Sequence, residues 1–194
     1  TIVSSSSGWV VHSAAQFYAG IVGLSYDGAP RPSGATVVSS VDWRPSQAAL
    51  QDEQFRKIWE VATSCIGTKY VYGGNVGPGK DFDCSAFVTY VYRNSGFRNI
   101  YRMSTIGLIG GYTDITTNGY VTKIDYPEPG DLIFFKGTNP ERPANYVSHV
   151  AIYLGEGMMI HASSSAKGVV VAPYEDSYLK TNHFLCYGRV RSDR

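Results

Sequence analysis

Between Ser46 and Ile66 apolar residues recur every three or four positions, and Phe55, Ile58, Trp59, Ala62 and Cys65 fall on one stripe. That period predicts a helix with one face in a core. Gly67 ends it, and Thr68-Lys69-Tyr70-Val71-Tyr72-Gly73-Gly74 reads as a tight glycine-bearing loop. A second stripe, Phe87, Val88, Val91 and Tyr92, follows Asp83-Cys84 and stops at Gly96. Here Asp83 is a good N-cap and Gly96 a good residue to follow the C-cap. From about Arg98 to Glu128 no period is clear, apart from a short helix near Thr105 to Ile109. After Pro127-Glu128-Pro129-Gly130 the pattern changes to strands: Asp131 to Lys136, Val147 to Leu154, Met158 to Ser163, Val169 to Ala172, and Phe184 to Val190. Helices first and strands later predict an α+β domain, with helices packed on a mostly antiparallel sheet of about five to six strands.

The first 45 residues differ. Ser4-Ser5-Ser6-Ser7-Gly8 is linker-like, and Val10, Ala14, Phe17, Tyr18 and Ile21 recur at helical spacing. Residues 1–45 are therefore expected to be an N-terminal segment or linker, with a short packed helix, and residues 46–194 the main domain.

Composition narrows the class. Of 194 residues 43% are hydrophobic, which marks a globular chain. A formal net charge of +1 and the lack of a long basic run speak against a nucleic-acid partner. No stretch is long and apolar enough for membrane insertion as a helix. The chain starts at Thr1, as a processed or excised fragment would, so a missing export signal carries no information. Three cysteines, Cys65, Cys84 and Cys186, exclude a framework in which every thiol pairs within the chain. Cys65 and Cys186 read as small buried core residues.

Cys84 falls in the first turn of a helix, where the dipole favours a thiolate and can bring a thiol from about 8.5 to between about 3.5 and 7.5. Two histidines lie in the strand region. If Gly155-Glu156-Gly157 is a three-residue hairpin loop, Leu154 pairs with Met158, Ala151 faces His161, and His149 faces Ser163. The two histidines are then diagonal neighbours on one face, whereas a one-residue slip would separate them. A thiol at a helix N-terminus facing two histidines suits nucleophilic catalysis at a carbonyl. One histidine moves the proton and the other fixes its ring. The alternatives are two satisfied core histidines, or a zinc site on Cys84, His149 and His161. Zinc lacks a fourth ligand and closely spaced ligand pairs here. His12 and His183 read as surface residues, and Asp131 as a structural turn residue.

At these positions the chain resembles the NlpC-type cysteine peptidases of bacterial cell walls, relatives of papain. The likeness runs from about Gln54 to Arg191 through Thr68–Gly74, Phe82-Asp83-Cys84-Ser85, Pro129-Gly130-Asp131-Leu132, Ser148–Tyr153 and Ile160-His161-Ala162. It implies a papain-like fold, Cys84 as nucleophile, His149 as base and His161 as orienting third member. It also implies that Tyr70 lies beside the nucleophile, and that Asp83 and Ser85 help hold the substrate's free amino end. The implied substrate is the peptidoglycan stem peptide, commonly cut between the side-chain carboxyl of D-glutamate and a diamino acid. No cofactor and no metal are implied, and the place of action is the cell wall or outside the cell, by secretion or phage delivery. Lys69 and Tyr72 depart from the proline and tryptophan frequent in relatives. Two other readings compete: an amidase that frees the stem peptide from the glycan with the same site, and a wall-binding module that does no chemistry.

Overall fold

A computed structural model describes residues 2–5, 8–11, 43–74, 81–175 and 177–191. Near the N-terminus β1 (Ile2–Ser5) and β2 (Gly8–Val11) pair antiparallel, Ile2 with Val11 and Ser5 with Gly8. The serine run thus contributes to a hairpin where a linker was expected, and Val10 lies in a strand where a helix was expected. The other positions of that helical stripe, and His12, lie outside the described residues.

The main domain opens with a short 3-10 turn, Ala49–Gln51, before α1 (Glu53–Ser64). The helix starts later than its apolar stripe suggests because the Asp52 carboxylate accepts the Phe55 N–H, a cap that fixes the first turn. Its buried face is Phe55, Ile58, Trp59 and Ala62, each large member contributing roughly 1.5–3 kcal/mol by leaving water. Next come α2 (Cys84–Asn94) and α3 (Thr105–Ile109), the latter at the expected position and capped by Ser104.

Six strands build one antiparallel sheet: β3 (Val121–Ile124), β4 (Leu132–Lys136), β5 (Val147–Gly155), β6 (Met158–Ser163), β7 (Gly168–Pro173) and β8 (Phe184–Val190). Their spatial order is β3-β8-β4-β5-β6-β7. With the hairpin the described strands number eight, more than the five to six expected, although the main sheet itself has six. A six-residue helix, α4 (Tyr178–His183), precedes β8. His183, expected at the surface, is half-buried, and its Nδ1 lies 2.9 Å from the Lys136 carbonyl.

Both faces of the sheet are apolar, so strict alternation fails. Leu132, Phe134, Val150, Ile152, Ile160 and Ala162 join α1 and α2 in the larger core. On the other face Ile133, Phe135, Ala151, Met159, Ala172 and Tyr174 form a second one. All three cysteines are buried and free.

Candidate active site

The site begins with the loop that precedes α2. Phe82 N–H donates to the Lys69 carbonyl and Val71 N–H to the Phe82 carbonyl, which docks Tyr70 alongside Phe82 as a short parallel bridge. Phe82 is fully buried, so this bridge fixes the backbone two residues ahead of Cys84. Asp83 then turns the chain into the helix: its Oδ1 accepts the Ala86 N–H at 2.7 Å. Phe87, Val88, Val91 and Tyr92 bury the helix against α1, β5 and β6.

Burial decides the state of Cys84 more than its helix does. The thiol is pushed up to about 12, first by removal from water and then by the Asp83 charge. Backbone hydrogen bonds from Val150, Ser85 and Cys84 itself act in the opposite sense. The lowered thiol expected from the helix dipole is therefore not the resting state, because desolvation of a buried anion outweighs a partial charge of about half a unit. One of those donors, Val150, directly follows His149.

The two histidines are brought together by a turn different from the one expected. The loop has two residues, Glu156 and Gly157, both with positive φ (53° and 71°), as a type I′ hairpin requires. Gly155 pairs with Met158, and the register shifts between Tyr153 and Gly155. This bulge restores the pairing of Ile152 with Ile160, the same register that a three-residue loop gives. His149 and His161 consequently share a face, and His149 Nε2 lies 2.8 Å from His161 Nδ1. They belong to the face of the second core, where the His149 ring also meets Phe135, centroids 5.6 Å apart.

Burial holds both rings neutral: His149 is lowered to about 4, and His161 well below its ordinary value, with the neighbouring His149 adding to the effect. If His149 Nδ1 is to accept a proton, its own hydrogen must sit on Nε2 and point at His161 Nδ1. His161 then carries its hydrogen on Nε2, a buried atom without a partner among the described residues.

Tyr70 bridges the two parts. It lines a cavity of about 600 Å³ together with His149 and His161. Its phenol is pushed up to about 12, by burial first and then by the Cys84 and Asp83 charges. On the other side of α2 stands a residue without any local sequence signal, Arg102. Its Nη2 donates to Asp83 Oδ2 at 2.6 Å and to the Gly74 carbonyl at 3.1 Å. Nη1 donates to Ser85 Oγ and to the Met103 carbonyl. Ser85 in turn donates to Asp83 Oδ1 at 2.9 Å, so Asp83 and Ser85 are both engaged within the protein. Asp131, as expected, is structural: it accepts two Arg189 donors and the Glu128 N–H. Among the described residues no three His, Cys, Asp or Glu side chains group as metal ligands.

A helix-borne thiol against an antiparallel sheet that carries a hydrogen-bonded histidine pair defines a papain-like arrangement. The NlpC/P60 family model matches residues 67–188, and the chain belongs to that family. A gamma-DL-glutamyl hydrolase of Bacillus subtilis is 29% identical over 153 residues, 76% of this chain and 33% of the relative. A gamma-D-glutamyl-L-lysine dipeptidyl-peptidase of Bacillus cereus is 30% identical over 62% of this chain and 33% of its own length. The chain thus spans about a third of the curated relatives it matches. Among solved structures, an NLP/P60-family protein of Staphylococcus aureus aligns with TM-score 0.56 at 24% identity, over 91% of this chain and 60% of that one. That likeness concerns the fold.

Proposed function

We propose that the chain is a cysteine peptidase that hydrolyses peptidoglycan stem peptides outside the cell or in the wall, between D-glutamate's side-chain carboxyl and the diamino acid. The observation that carries the reading is the 2.8 Å contact of His149 and His161, with the residue after His149 hydrogen-bonded through its backbone to the Cys84 thiol. Names of relatives support the substrate: a gamma-D-glutamyl-L-lysine dipeptidyl-peptidase and a probable peptidoglycan endopeptidase of Bacillus subtilis.

At neutral pH the resting site holds a neutral thiol and a neutral imidazole. Substrate closes the site, the thiol proton passes to His149 Nδ1, and Sγ bonds to the scissile carbonyl carbon. The thiolate–imidazolium attraction in a dry site, and the backbone donors on Sγ, offset the desolvation that disfavours each ion. Backbone N–H groups of the first turn of α2 hold the oxyanion. The C–N bond then breaks, His149 returns its proton to the leaving amine, and water hydrolyses the thioester with His149 again as base. His161 is a positioning residue that fixes the His149 tautomer. Tyr70 lines the cavity on the histidine side, while Asp83 and Ser85, with Arg102, form the opposite wall.

Digestion of purified peptidoglycan, with fragments identified by mass spectrometry, tests this. Wild type should create new amino termini on the diamino acid, and Cys84→Ala should lower the rate by at least about 10³-fold. Release of whole stem peptides would instead indicate an amidase, and wall retention without any product a binding module.

A further inference from the structure

The cavity beside the histidines has a charge that selects among wall types, and this inference rests on the endopeptidase reading. A general acid must reach the leaving nitrogen, so the residue whose amine departs lies on the histidine side of Cys84. His149 and His161 open onto the 600 Å³ cavity, which is therefore where the diamino acid goes. Among the described residues that line it, Glu141 is the one with a fixed charge. The remaining polar lining is hydroxyl and amide, including Thr138, Asn139 and Ser148, and Tyr72 and Tyr178 present half-exposed or exposed rings.

The loop that carries Glu141 is pinned. Thr138 N–H donates to Ser148 Oγ, and the two hydroxyls are 2.8 Å apart, one residue before His149. Glu141 N–H donates to Asn139 Oδ1 at 2.9 Å. The carboxylate is thereby held at the rim, and its side chain stays in water.

We propose that this cavity prefers lysine to diaminopimelate at the diamino position, through Glu141. Lysine brings a four-carbon stem that can lie on the tyrosine rings and a single ammonium at its tip. Diaminopimelate brings the same amine together with a carboxylate, which Glu141 repels and no cationic lining residue compensates. An exposed pair of this kind changes affinity by up to about fivefold.

The test uses Cys84→Ala protein and calorimetric titration of three tripeptides, L-Ala-γ-D-Glu-L-Lys, its meso-diaminopimelate analogue, and that analogue with the distal carboxyl amidated. Lysine peptide should bind about fivefold more tightly than the diaminopimelate peptide, and amidation should recover most of the difference. Added Glu141→Gln should erase the ranking, and Glu141→Lys should invert it. Equal binding of the first two peptides, a ranking that survives Glu141→Gln, or no binding of any peptide would overturn the inference. Which bond wild type cuts is read separately from the digest. Whole stem peptides there would overturn the bond assignment while the binding order still judges the cavity.

Discussion

Two arginine–aspartate pairs sit at different ends of the chain's architecture and do different things. Asp83 with Arg102 stands at the start of the nucleophile helix; Asp131 with Arg189 stands at the start of β4. Their surroundings are similar: carboxylates 10% and 6% exposed, arginines 36% and 46%. What differs is the distribution of bonds. Arg189 grips Asp131 with two nitrogens, each 2.8 Å from an oxygen, and joins β8 to the turn before β4. Arg102 spends one bond on Asp83 and the others on Ser85, Gly74 and Met103. A two-pronged grip on one carboxylate fixes two strands, whereas a divided one fixes several loops around a thiol. The first should matter for stability and the second for positioning.

The largest expected effect is at the strand end. Asp131→Ala leaves the Glu128 N–H without its acceptor and Arg189 with only the exposed Glu128 carboxylate. Urea denaturation should show a loss of about 3 kcal/mol, while kcat per folded molecule changes less than about twofold. A collapse of kcat with stability intact would break the comparison.

Neither arginine was legible as a partner. Arg102 lies 19 residues from Asp83 in an aperiodic stretch, and Arg189 lies 58 residues from Asp131. Charge pairs set by tertiary approach leave no spacing rule to read. The histidine pair was legible because a hairpin converts a count of residues into a face. Even so the turn is two residues plus a bulge, and the bulge cancelled the slip that the shorter loop would have caused. β3 escaped notice because Val-Thr-Lys-Ile is four residues long and finds its partner in β8, at the other end of the sequence. α4 escaped because none of its residues is buried, so it has no apolar stripe. The state of Cys84 was misjudged for a related reason: a helix N-terminus is visible in sequence, but the depth at which packing buries it is not.

Acid should separate the two ends next. An unfolded chain takes up a proton on His149 near pH 6.5, while the folded protein does so only near pH 4. The unfolded state therefore binds more protons across that window, and stability falls as pH drops through it, by about 3 kcal/mol at pH 4. The lowered His161 acts in the same direction. His149→Asn should flatten this part of the urea stability curve, and Asp131→Ala should leave its slope in place. For the same reason the acid limb of kcat/KM should lie near pH 4 in place of 6.5; an acid limb near 6.5 would mean that the ring is solvated in the working enzyme.

Arg102→Ala should cost about 1 kcal/mol of stability, because Asp83 keeps the Ala86 and Ser85 donors, yet lower kcat/KM by roughly 10- to 100-fold. Arg102→Lys restores the charge without the fork, so it should recover only part of the activity. Full recovery by lysine would reduce the role of Arg102 to its charge alone.

The smallest effect expected is at Ser85, and it decides whether this wall works through Arg102 or meets the substrate directly. Ser85→Ala removes one donor to Asp83 at 2.9 Å and one acceptor for Arg102 at 3.1 Å. Each partner retains its other bonds, so stability should fall by about 1 kcal/mol or less and kcat/KM by no more than about fivefold. The double-mutant cycle carries the distinction. If Ser85 acts by aiming Arg102, the serine substitution should have no further effect on kcat/KM once Arg102 is alanine. Two independent, additive losses, with the Ser85→Ala loss confined to KM, would show the hydroxyl bonding to substrate itself and the wall of the nucleophile as two separate contacts.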